Sequence, residues 1–417
     1  MKLFAHNRRW MLLMTGQFVS SVGNNFYTLA IYWYVLTITH SRVDVLWIGL
    51  AQTLPAVGSL FWGGLIDRFD RRFLIIVSDL GRFVLGSLLF WLTSSIERPS
   101  IGILFVVVFV LKSLGTIFGP SLMAFIPTLI SSDQLPSATG IFKAISGLAS
   151  LVGVAMGGIL MALYGPSTLF GIDALTFLVS LASLLLIRTS GPIRTTNTDV
   201  PLWSAWKTGI RVLWRSLWIR RFVLVAMMAN LVLVPLEMVL PQWVHGPLKG
   251  TPMTLGWLNT AFLVGFIVGA VMVGWAQRWP TARVLGWAFA GMGALVVLFG
   301  QVTAIPLPYA IAAGIGTTIG LVESLVTSSL LAAIPEKVRG RAFSSYSGIL
   351  NLMTPVGMGL TELIIGWLGI AALFAGAGSM VLLLSLMFLI PAQPPTSEAM
   401  MAAVGDPRER STPTYNN

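Results

Sequence analysis

Residues 63–72 read GGLIDRFDRR, a short and strongly charged stretch of the chain. From Asp67 to Arg72 it holds two acids and three arginines in six residues, although only 10% of the whole chain is charged. Long apolar runs lie on both sides of it. Such a stretch is typical of a tight turn between two membrane-spanning helices, because charged side chains are costly in lipid and collect in the turns.

The composition of the chain is that of a membrane protein. Its 417 residues are 56% hydrophobic, with a mean hydropathy of +0.84. A soluble domain cannot hide so much apolar surface, because single hydrophobic cores stop growing at about 250–300 residues. One span needs about 20 apolar residues, so this length can hold about a dozen spans. The chain has no cysteine, which excludes disulfide and thiolate chemistry.

Apolar runs of sufficient length occur twelve times, and we predict one transmembrane helix for each. They cover residues 10–38, 44–66, 73–95, 101–126, 137–163, 167–188, 219–245, 254–277, 283–303, 307–333, 342–367 and 369–390. The first run is too long for the apolar region of a signal peptide, so no cleaved leader is expected. The predicted fold class is therefore an all-α polytopic membrane protein with twelve transmembrane helices.

The distribution of Lys and Arg supports this topology. When the loops are assigned alternately to the two sides of the membrane, 20 of the 26 basic residues fall on one side and three on the other. The positive-inside rule then predicts that both termini are cytoplasmic. The net charge of +11 does not indicate a nucleic-acid partner, because the basic residues lie in short loops between apolar runs.

Two weak internal repeats divide the predicted helices into halves. The G-x-x-D-R of residues 64–68 recurs as G-x-x-Q-R at 274–278, 210 positions later. The Ile-Pro and Gly-Ile pairs within residues 126–141 recur within 334–349, 208 positions later. Because the two offsets nearly agree and equal about half the chain, they predict two pseudo-symmetric halves of six helices each.

The predicted organisation has four parts. They are an N-terminal six-helix half (1–188), a cytoplasmic linker (189–218), a C-terminal six-helix half (219–390) and a disordered cytoplasmic tail (391–417). In the linker, Trp206, Ile210 and Leu213 recur at helical spacing. Lys207 and Arg211 lie four residues apart, so we expect an amphipathic helix on the membrane surface. The tail is rich in Pro, Ser and charge, as disordered segments are.

The opening stretch resembles the loop between the second and third helices of major facilitator superfamily transporters, whose pattern is G-x-L-x-D-R-x-G-R-R. Six positions match, and Asp70 replaces the second glycine of the pattern; the matching residues are Gly63, Leu65, Asp67, Arg68, Arg71 and Arg72. Within this superfamily, residues 8–390 resemble the twelve-helix drug:proton antiporter branch that includes macrolide and siderophore exporters. The resemblance includes FGPSLMAFIPTLI (118–130), GIDALTFLVS (171–180) and PEKVRGRAFS (335–344). It implies a secondary transporter in the inner membrane of a bacterial cell.

The resemblance also implies a cytoplasmic gate. In it, Asp67 meets the start of the eleventh helix, after Arg341, where the helix dipole favours a carboxylate. Asp79 and Arg82 are one turn apart on the third span and can pair with each other or with the charged turn. Asp133 is a candidate partner for Arg68 or Arg72. The predicted gate set is Gly63, Asp67, Arg68, Arg71, Arg72, Asp79, Arg82, Asp133 and Arg341.

Ionisable residues inside the spans are the first candidates for transport chemistry, because they are costly in a membrane. Glu237 lies between two prolines of the seventh span, and Glu323 lies near the middle of the tenth. Each is a candidate proton carrier or counter-charge for a cationic substrate; the alternative is a protonated acid in a helix interface. Lys112, near the centre of the fourth span, needs a partner among the acids of the spans. It is a candidate for proton coupling, and a purely structural ion pair is the alternative. For Asp173 and Glu362, nearer the span ends, structural pairing is favoured.

Two further sets of residues complete the candidate site. The fifth span resembles the glycine-rich antiporter motif of the fifth helix; its glycines are Gly147, Gly153, Gly157 and Gly158. The alternative is that these small residues permit close helix packing. In the first span, hydrogen-bonding and aromatic side chains are candidates for lining a cavity: Asn24, Asn25, Tyr27 and Trp33. An aromatic belt at the lipid interface is the alternative for Trp33.

The sequence does not indicate an enzyme. The three histidines are not at ligand spacing, and there is no phosphate-binding GxxxxGK[ST] motif. No metal or cofactor is expected. We therefore predict a monomeric secondary transporter in the lipid bilayer, with a substrate site between its two halves. It works by alternating access and couples protons to the efflux of amphiphilic small molecules such as drugs, macrolides or siderophores. The alternatives are a lipid or lysolipid flippase-like exporter, a proton-coupled uptake carrier and, in another class, a non-transporting membrane sensor.

Overall fold

The computed structural model describes residues 7–66, 69–130, 134–187, 202–304, 306–334 and 336–388. In the first half of the chain, six long helices follow one another. They are α1 (Arg8–Thr39), α2 (Arg42–Ile66), α3 (Arg71–Ser95), α4 (Ile101–Phe125), α5 (Leu135–Tyr164) and α6 (Pro166–Leu186). A single 3-10 turn, Ile126–Thr128, follows α4. No strand occurs in these ranges.

The second half begins after a shorter helix. This helix is α7 (Leu202–Arg215), and it is followed by α8 (Leu217–Leu233), α9 (Leu236–His245), α10 (Pro252–Ala276), α11 (Thr281–Gln301), α12 (Leu307–Ala333) and α13 (Glu336–Leu386). Helices α8 and α9 form one span that is interrupted at Pro235, which lacks a backbone N–H. Helix α13 is 51 residues long and contains the eleventh and twelfth spans, separated at Gly369. The φ of Gly369 is 83°, a conformation that favours glycine.

The predicted fold class is confirmed. Nine helical segments of the described residues are long and apolar enough to cross a membrane, and the last, Ala342–Leu386, is long enough to cross twice. Helices α1 and α2, with 32 and 25 residues, occupy the first two positions. The linker helix α7 also forms, but Val212 and Leu213 are buried, and the hydroxyl of Ser345 on α13 donates to the carbonyl of Trp206 at 3.1 Å. Residues 189–201 and 391–417 lie outside the described residues.

Glycines bring helices of the second half to backbone contact. A Cβ on Gly265 of α10 would lie 1.9 Å from the carbonyl oxygen of Ala313 on α12. A Cβ on Gly320 of α12 would lie 2.1 Å from the carbonyl oxygen of Phe266 on α10. Small residues at such positions let helices approach closely in lipid, where van der Waals contact drives association. The α10–α12 pair is therefore a tight unit.

The charged turn that opens α3 is held within the first half. Asp70, which replaces a glycine of the superfamily pattern, is the N-cap of α3, and its carboxylate accepts from the amides of Arg72 at 2.7 Å and Phe73 at 3.2 Å. Arg71 donates to the carbonyl of Ala124 at the end of α4. Arg72 donates to the carbonyl of Leu184 at the end of α6. These bonds fix the turn to two neighbouring helices of its own half.

The two halves meet closely at one end of the bundle. We call the end that carries the start of α2 the Arg42 end, and the end that carries the start of α3 the Arg71 end. At the Arg42 end, a Cβ on Gly158 of α5 would lie 2.6 Å from the Cα of Gly256 on α10. Arg42 donates to the carbonyl of Ile365 on α13 at 3.2 Å. These contacts close the Arg42 end.

Helix α5 has free space beside it toward the Arg71 end. A Cβ on Gly147, three turns before Gly158, would meet no heavy atom within 4 Å, and the same holds for Gly140. Along this one helix, the contact between the halves is therefore tight at the Arg42 end and open toward the Arg71 end.

Candidate functional site

A cavity lined by apolar side chains lies inside the second half of the protein. It has a volume of about 760 Å³ and is lined by residues of α8 to α13. Most of the lining is aliphatic or aromatic, including Phe222, Phe289, Phe299 and Phe343. The polar groups on its wall are few: Asn230, Glu237, Asn259, Glu323, Thr327, Tyr346 and Ser347. A large apolar cavity with a few convergent polar groups is the usual form of a small-molecule site.

A second cavity of about 60 Å³ lies between the two halves. The first half contributes Asn25, Thr28 and Tyr32 of α1, and the second half contributes Glu237 of α9 and Asn259 of α10. Glu237 and Asn259 also line the large cavity, so the two cavities adjoin at these side chains. The candidate site therefore extends from the interface of the halves into the interior of the second half.

The two asparagines of this junction have their amide nitrogens occupied. Asn25 donates to the carbonyl of Ser21 at 2.7 Å, and Asn259 donates to the carbonyl of Leu255 at 3.0 Å. Each bond runs to the residue one turn earlier on the same helix. The amide oxygens remain able to accept hydrogen bonds from a ligand or from water.

The break in the seventh span positions Glu237. Helix α9 starts just after Pro235, and Glu237 lies in its first turn. A carboxylate there is stabilised by the dipole of the helix start. The side chain is exposed to the cavity although the residue lies deep in the protein. Glu237 can therefore meet a ligand or a proton that arrives through the cavity.

Glu323 is the second carboxylate of the large cavity. It lies in the middle of α12, and its side chain is exposed to the cavity. Tyr346 of α13 lies within electrostatic range of it and lines the same wall. The cavity is thus an apolar chamber with two separate acidic points.

The interior of the first half contains a buried polar network instead. Arg82 and Asp79, both on α3, form an ion pair. Ser180 of α6 donates to the other oxygen of Asp79 at 2.7 Å, and Gln17 of α1 donates to Ser180 at 3.0 Å. The Arg82 guanidinium also lies 4.1 Å from the ring centroid of Phe118 and 4.5 Å from that of Phe177. This network ties α1, α3 and α6 together.

A second group of charges lies next to this network. The amine of Lys112 on α4 lies 4.6 Å above the ring of Tyr27 on α1. Asp173 of α6 is 1% exposed, and one of its carboxylate oxygens has no hydrogen-bond partner. Lys112 interacts electrostatically with Asp173 and, across the halves, with Glu237. Two acids therefore lie within electrostatic range of Lys112, but neither forms an ion pair with it.

The structure separates the predicted pathway residues into two groups. Glu237 and Glu323 line the large cavity, and Asn25 lines the small one. The others do not line either of these cavities: Asn24 donates to the carbonyl of Ser20, Trp33 packs edge-on against His245 at 5.7 Å, and Tyr27 and Lys112 contact each other inside the first half.

Asp173 was not among the predicted site residues. The available signal was an acid within an apolar span, and sequence alone could not show that Lys112 would lie near it.

The structure describes five of the nine predicted gate residues in full. Gly63 lies in α2, and Arg71, Arg72, Asp79 and Arg82 contact groups of the first half, as described above. The remaining members are not described at the level of side chains: Asp67, Arg68 and Asp133 lie outside the described residues, and the side chain of Arg341 does as well. Their role in a gate stays a prediction.

The four glycines of α5 have different surroundings. Gly153 and Gly157 pack against α1, at Asn25 and at Phe26, whereas Gly158 meets Gly256 of the other half and Gly147 meets open space. In the described part of the chain, no group of His, Cys, Asp or Glu could hold a metal ion.

The comparisons with known proteins identify the family. The chain matches the Major Facilitator Superfamily over residues 13–246 and 236–403, and it belongs to that family. It is therefore an integral membrane transporter of small molecules and not an enzyme, as the sequence predicted.

Relatives of established name cover nearly the whole chain. The multidrug efflux pump Tap of Mycolicibacterium fortuitum is 24% identical over 391 residues, which is 90% of this chain and 94% of the relative. Macrolide efflux protein A of Streptococcus pyogenes is 23% identical over 385 residues, 91% of this chain and 95% of the relative.

Solved structures of similar fold are more distant in sequence. A bacterial homologue of the iron transporter ferroportin, in an inward-facing state, superposes with a TM-score of 0.73 at 14% identity, covering 92% of this chain and 98% of that one. The nucleoside transporter NupG gives a TM-score of 0.73 at 10% identity, with the same coverage. These similarities show the fold.

Proposed function

We propose that the protein exports amphiphilic small molecules, such as drugs, macrolides or siderophores, in exchange for protons. The observation that carries this proposal is the cavity of about 760 Å³, apolar over most of its wall and acidic at Glu237 and Glu323. The efflux pumps that resemble the chain over nine-tenths of its length support the same substrate class.

The lining of the cavity suits an amphiphile. Burial of apolar ligand surface against aromatic and aliphatic side chains stabilises binding by about 25 cal/mol per Å² of area removed from water. A sugar or an inorganic ion would leave most of this wall without complementary contacts. A cationic group on the ligand is matched by Glu237 or Glu323, which are exposed to the cavity.

The same carboxylates supply a route to proton exchange. A carboxylate that holds a proton cannot at the same time neutralise a cation, so protons and cationic ligands compete for it. Release of a proton on one side and of the ligand on the other then couples the two movements, provided that the cavity opens to each side in turn.

The closed Arg42 end supports a cycle of alternating access. We propose that the Arg71 end is cytoplasmic, in accordance with the positive-inside rule, and that the cavity receives substrate from that side. Rocking of the halves would separate Gly158 from Gly256 and bring the predicted gate residues together. Both halves are present in one chain, so a monomer is sufficient for this cycle.

Dye efflux from energised bacterial cells tests the proposal. We expect efflux that stops when the proton gradient is collapsed and that is reduced in Glu323→Gln. Expression of each variant in the membrane is measured in the same cells. Absence of efflux by the expressed wild type would contradict export of amphiphiles; accumulation of the dye would favour the uptake carrier, and lysolipid transfer in reconstituted vesicles would favour the flippase-like exporter.

A further inference from the structure

One lysine interacts with two carboxylates that belong to different halves of the protein. Lys112 of α4 interacts electrostatically with Asp173 of α6 and with Glu237 of α9. Neither acid lies within 4 Å of the amine, so no ion pair fixes Lys112 to one of them. Its amine rests instead on the face of Tyr27, 4.6 Å from the ring centroid.

Packing holds this group together on the side of the first half. A Cβ on Gly23 of α1 would lie 2.7 Å from the unpartnered oxygen of Asp173, so α1 approaches that carboxylate as closely as a glycine permits. One turn further along α1, the ring of Tyr27 lies 6.0 Å from that of Phe170 on α6. The hydroxyl of Tyr27 is buried and has no partner. Asp173 and Lys112 thus contact successive turns of α1.

Among the residues that the structure describes, the charged neighbours of Asp173 leave it with one available counter-ion. Arg82 of α3 lies within electrostatic range of Asp173, but it forms an ion pair with Asp79. That pair is neutral as a unit and is held by Ser180 and by the rings of Phe118 and Phe177. The remaining titratable groups that face the site are Tyr27 and Tyr32 of α1 and Glu237 of α9. Lys112 is therefore the cation that compensates Asp173.

Charge counting then defines what the site can hold. Asp173, Lys112 and Glu237 together carry one negative charge when all three are ionised. One lysine can compensate one carboxylate, and an uncompensated carboxylate deep in the protein is strongly unfavourable. The trio is neutral when it binds one positive charge, either a proton or a monovalent cationic group.

We propose that Asp173, Lys112 and Glu237 form the exchange site, in which one proton or one cationic group of the substrate is bound at a time. Asp173 is a positioning residue: it holds Lys112 when Glu237 is occupied, and Glu237 meets the proton or the ligand from the cavity. A proton leaves Glu237 when the cation binds and returns when the cation leaves, so charge and protons balance. This inference rests on the proposed proton-coupled transport and specifies its stoichiometry.

The test uses the full-length protein in lipid nanodiscs with tetraphenylphosphonium, a lipophilic monovalent cation, as the probe. Calorimetry in buffers of different ionisation enthalpy counts the protons released per probe bound. All proteins compared carry Glu323→Gln, so that the second carboxylate of the cavity cannot release a proton. We expect about one proton from the protein that keeps Asp173 and none from Asp173→Asn, in which Lys112 neutralises Glu237. The double variant Lys112→Met/Asp173→Asn leaves Glu237 alone with one negative charge, so the release of one proton should return.

Glu362→Gln is the matched control, because it removes a carboxylate of α13 that does not face Lys112, and it should behave as the Glu323→Gln parent protein. Release of a proton by Asp173→Asn, or failure of the folded double variant to recover it, would overturn the proposal. Correct folding of each variant is checked by size-exclusion chromatography and thermal unfolding.

A second readout does not depend on a substrate. The infrared band of protonated carboxyl groups should lose one component in Asp173→Asn and regain it in the double variant, over the pH range in which the wild-type band titrates. An unchanged band in Asp173→Asn would overturn the exchange site. If the wild type fails to bind tetraphenylphosphonium but the band behaves as expected, then the cationic substrate class is wrong and the charge trio is retained.

Discussion

The interiors of the two six-helix halves differ, although the halves share one order of helices. In the first half, Asp79, Arg82 and Ser180 are buried and bonded to one another. In the second half, the interior holds a cavity of about 760 Å³. The two halves of a duplicated fold can therefore have different roles. Here the first half has fixed charges in a packed interior, and the second half has the cavity that can hold a ligand.

The difference follows from how each half fills its centre. Gly16 and Gly23 bring α1 against α6, with built Cβ atoms 2.2 Å from side-chain oxygens of Ser183 and Thr176. Polar groups can then reach one another across the first half. In the second half, the break at Pro235 divides the seventh span, and aromatic side chains such as Phe222 and Phe299 surround the space without filling it.

The largest expected effect is a loss of stability on removal of the buried ion pair of the first half. Arg82→Ala leaves Asp79 buried without its partner, which costs about 3–5 kcal/mol of the free energy of unfolding. Thermal unfolding of the purified protein in detergent measures the loss. Arg283→Ala, on the exposed start of α11, is the control and should leave the unfolding midpoint unchanged. An equal midpoint for Arg82→Ala and wild type would show that the first half is not organised by this pair.

A smaller effect, on transport, is expected from a substitution at the contact between the halves. Gly158→Val places methyl groups against the Cα of Gly256 and opposes closure of the Arg42 end, by about 1–3 kcal/mol for overpacking. Transport should fall by about tenfold or more, since 1.4 kcal/mol is a factor of ten. Gly376→Val, at an exposed glycine of α13 where an added Cβ meets open space, is the matched control.

Labelling of a single cysteine locates that effect, because the natural chain has none. Thr28→Cys, in the small cavity, should react faster with a reagent added at the Arg42 side when Gly158 is Val. Equal rates in the Gly158→Val and Gly376→Val variants would contradict the assignment of the closed end.

The cavity of the second half should discriminate ligands by charge. Glu323→Gln removes a carboxylate from its wall, and we expect about tenfold weaker binding of a lipophilic monovalent cation, as a charged hydrogen bond contributes about 1.5–3 kcal/mol. Binding of a neutral ligand of similar size should not change. Equilibrium dialysis with both ligands measures this, and equal losses for both would indicate that Glu323 only shapes the cavity.

The smallest effect is expected from Arg42→Ala. It removes the hydrogen bond to the carbonyl of Ile365, which contributes about 1 kcal/mol. The ratio of the closed to the open state of the Arg42 end should therefore fall by about fivefold. The labelling rate at Thr28→Cys should rise by that factor. Arg98→Ala, an exposed residue of the loop before α4, is the control. No difference between Arg42→Ala and Arg98→Ala would assign closure to the glycine contact alone.

Much of the fold could be predicted because membrane spans are a local property of sequence. Pro235 and Pro241 marked an irregular seventh span, and the chain does break at Pro235. The Arg71–Arg72 turn was located by its charge. Asp70 could be recognised as a departure from the superfamily pattern, but its function as the N-cap of α3 depends on backbone geometry that the pattern does not contain.

The candidate site could be predicted only in part, because it depends on contacts between distant segments. The acids Glu237 and Glu323 were identifiable from their cost in a membrane. The cavity itself was expected between the halves, and most of its volume lies inside the second half. The proximity of Asp173 and Lys112 joins helices 61 positions apart in the sequence, and no local spacing indicates it.

The contact of Gly158 with Gly256 has a consequence for the speed of the transport cycle. Two glycines touch through their backbones, so no side chain has to select a rotamer when the contact forms, and none is released when it breaks. Side-chain ordering costs up to about 2 kcal/mol for a long residue. Without that cost, the contact between the halves can form and separate with little change in side-chain entropy. The slow steps of the transport cycle are then those that involve the charged groups and the ligand.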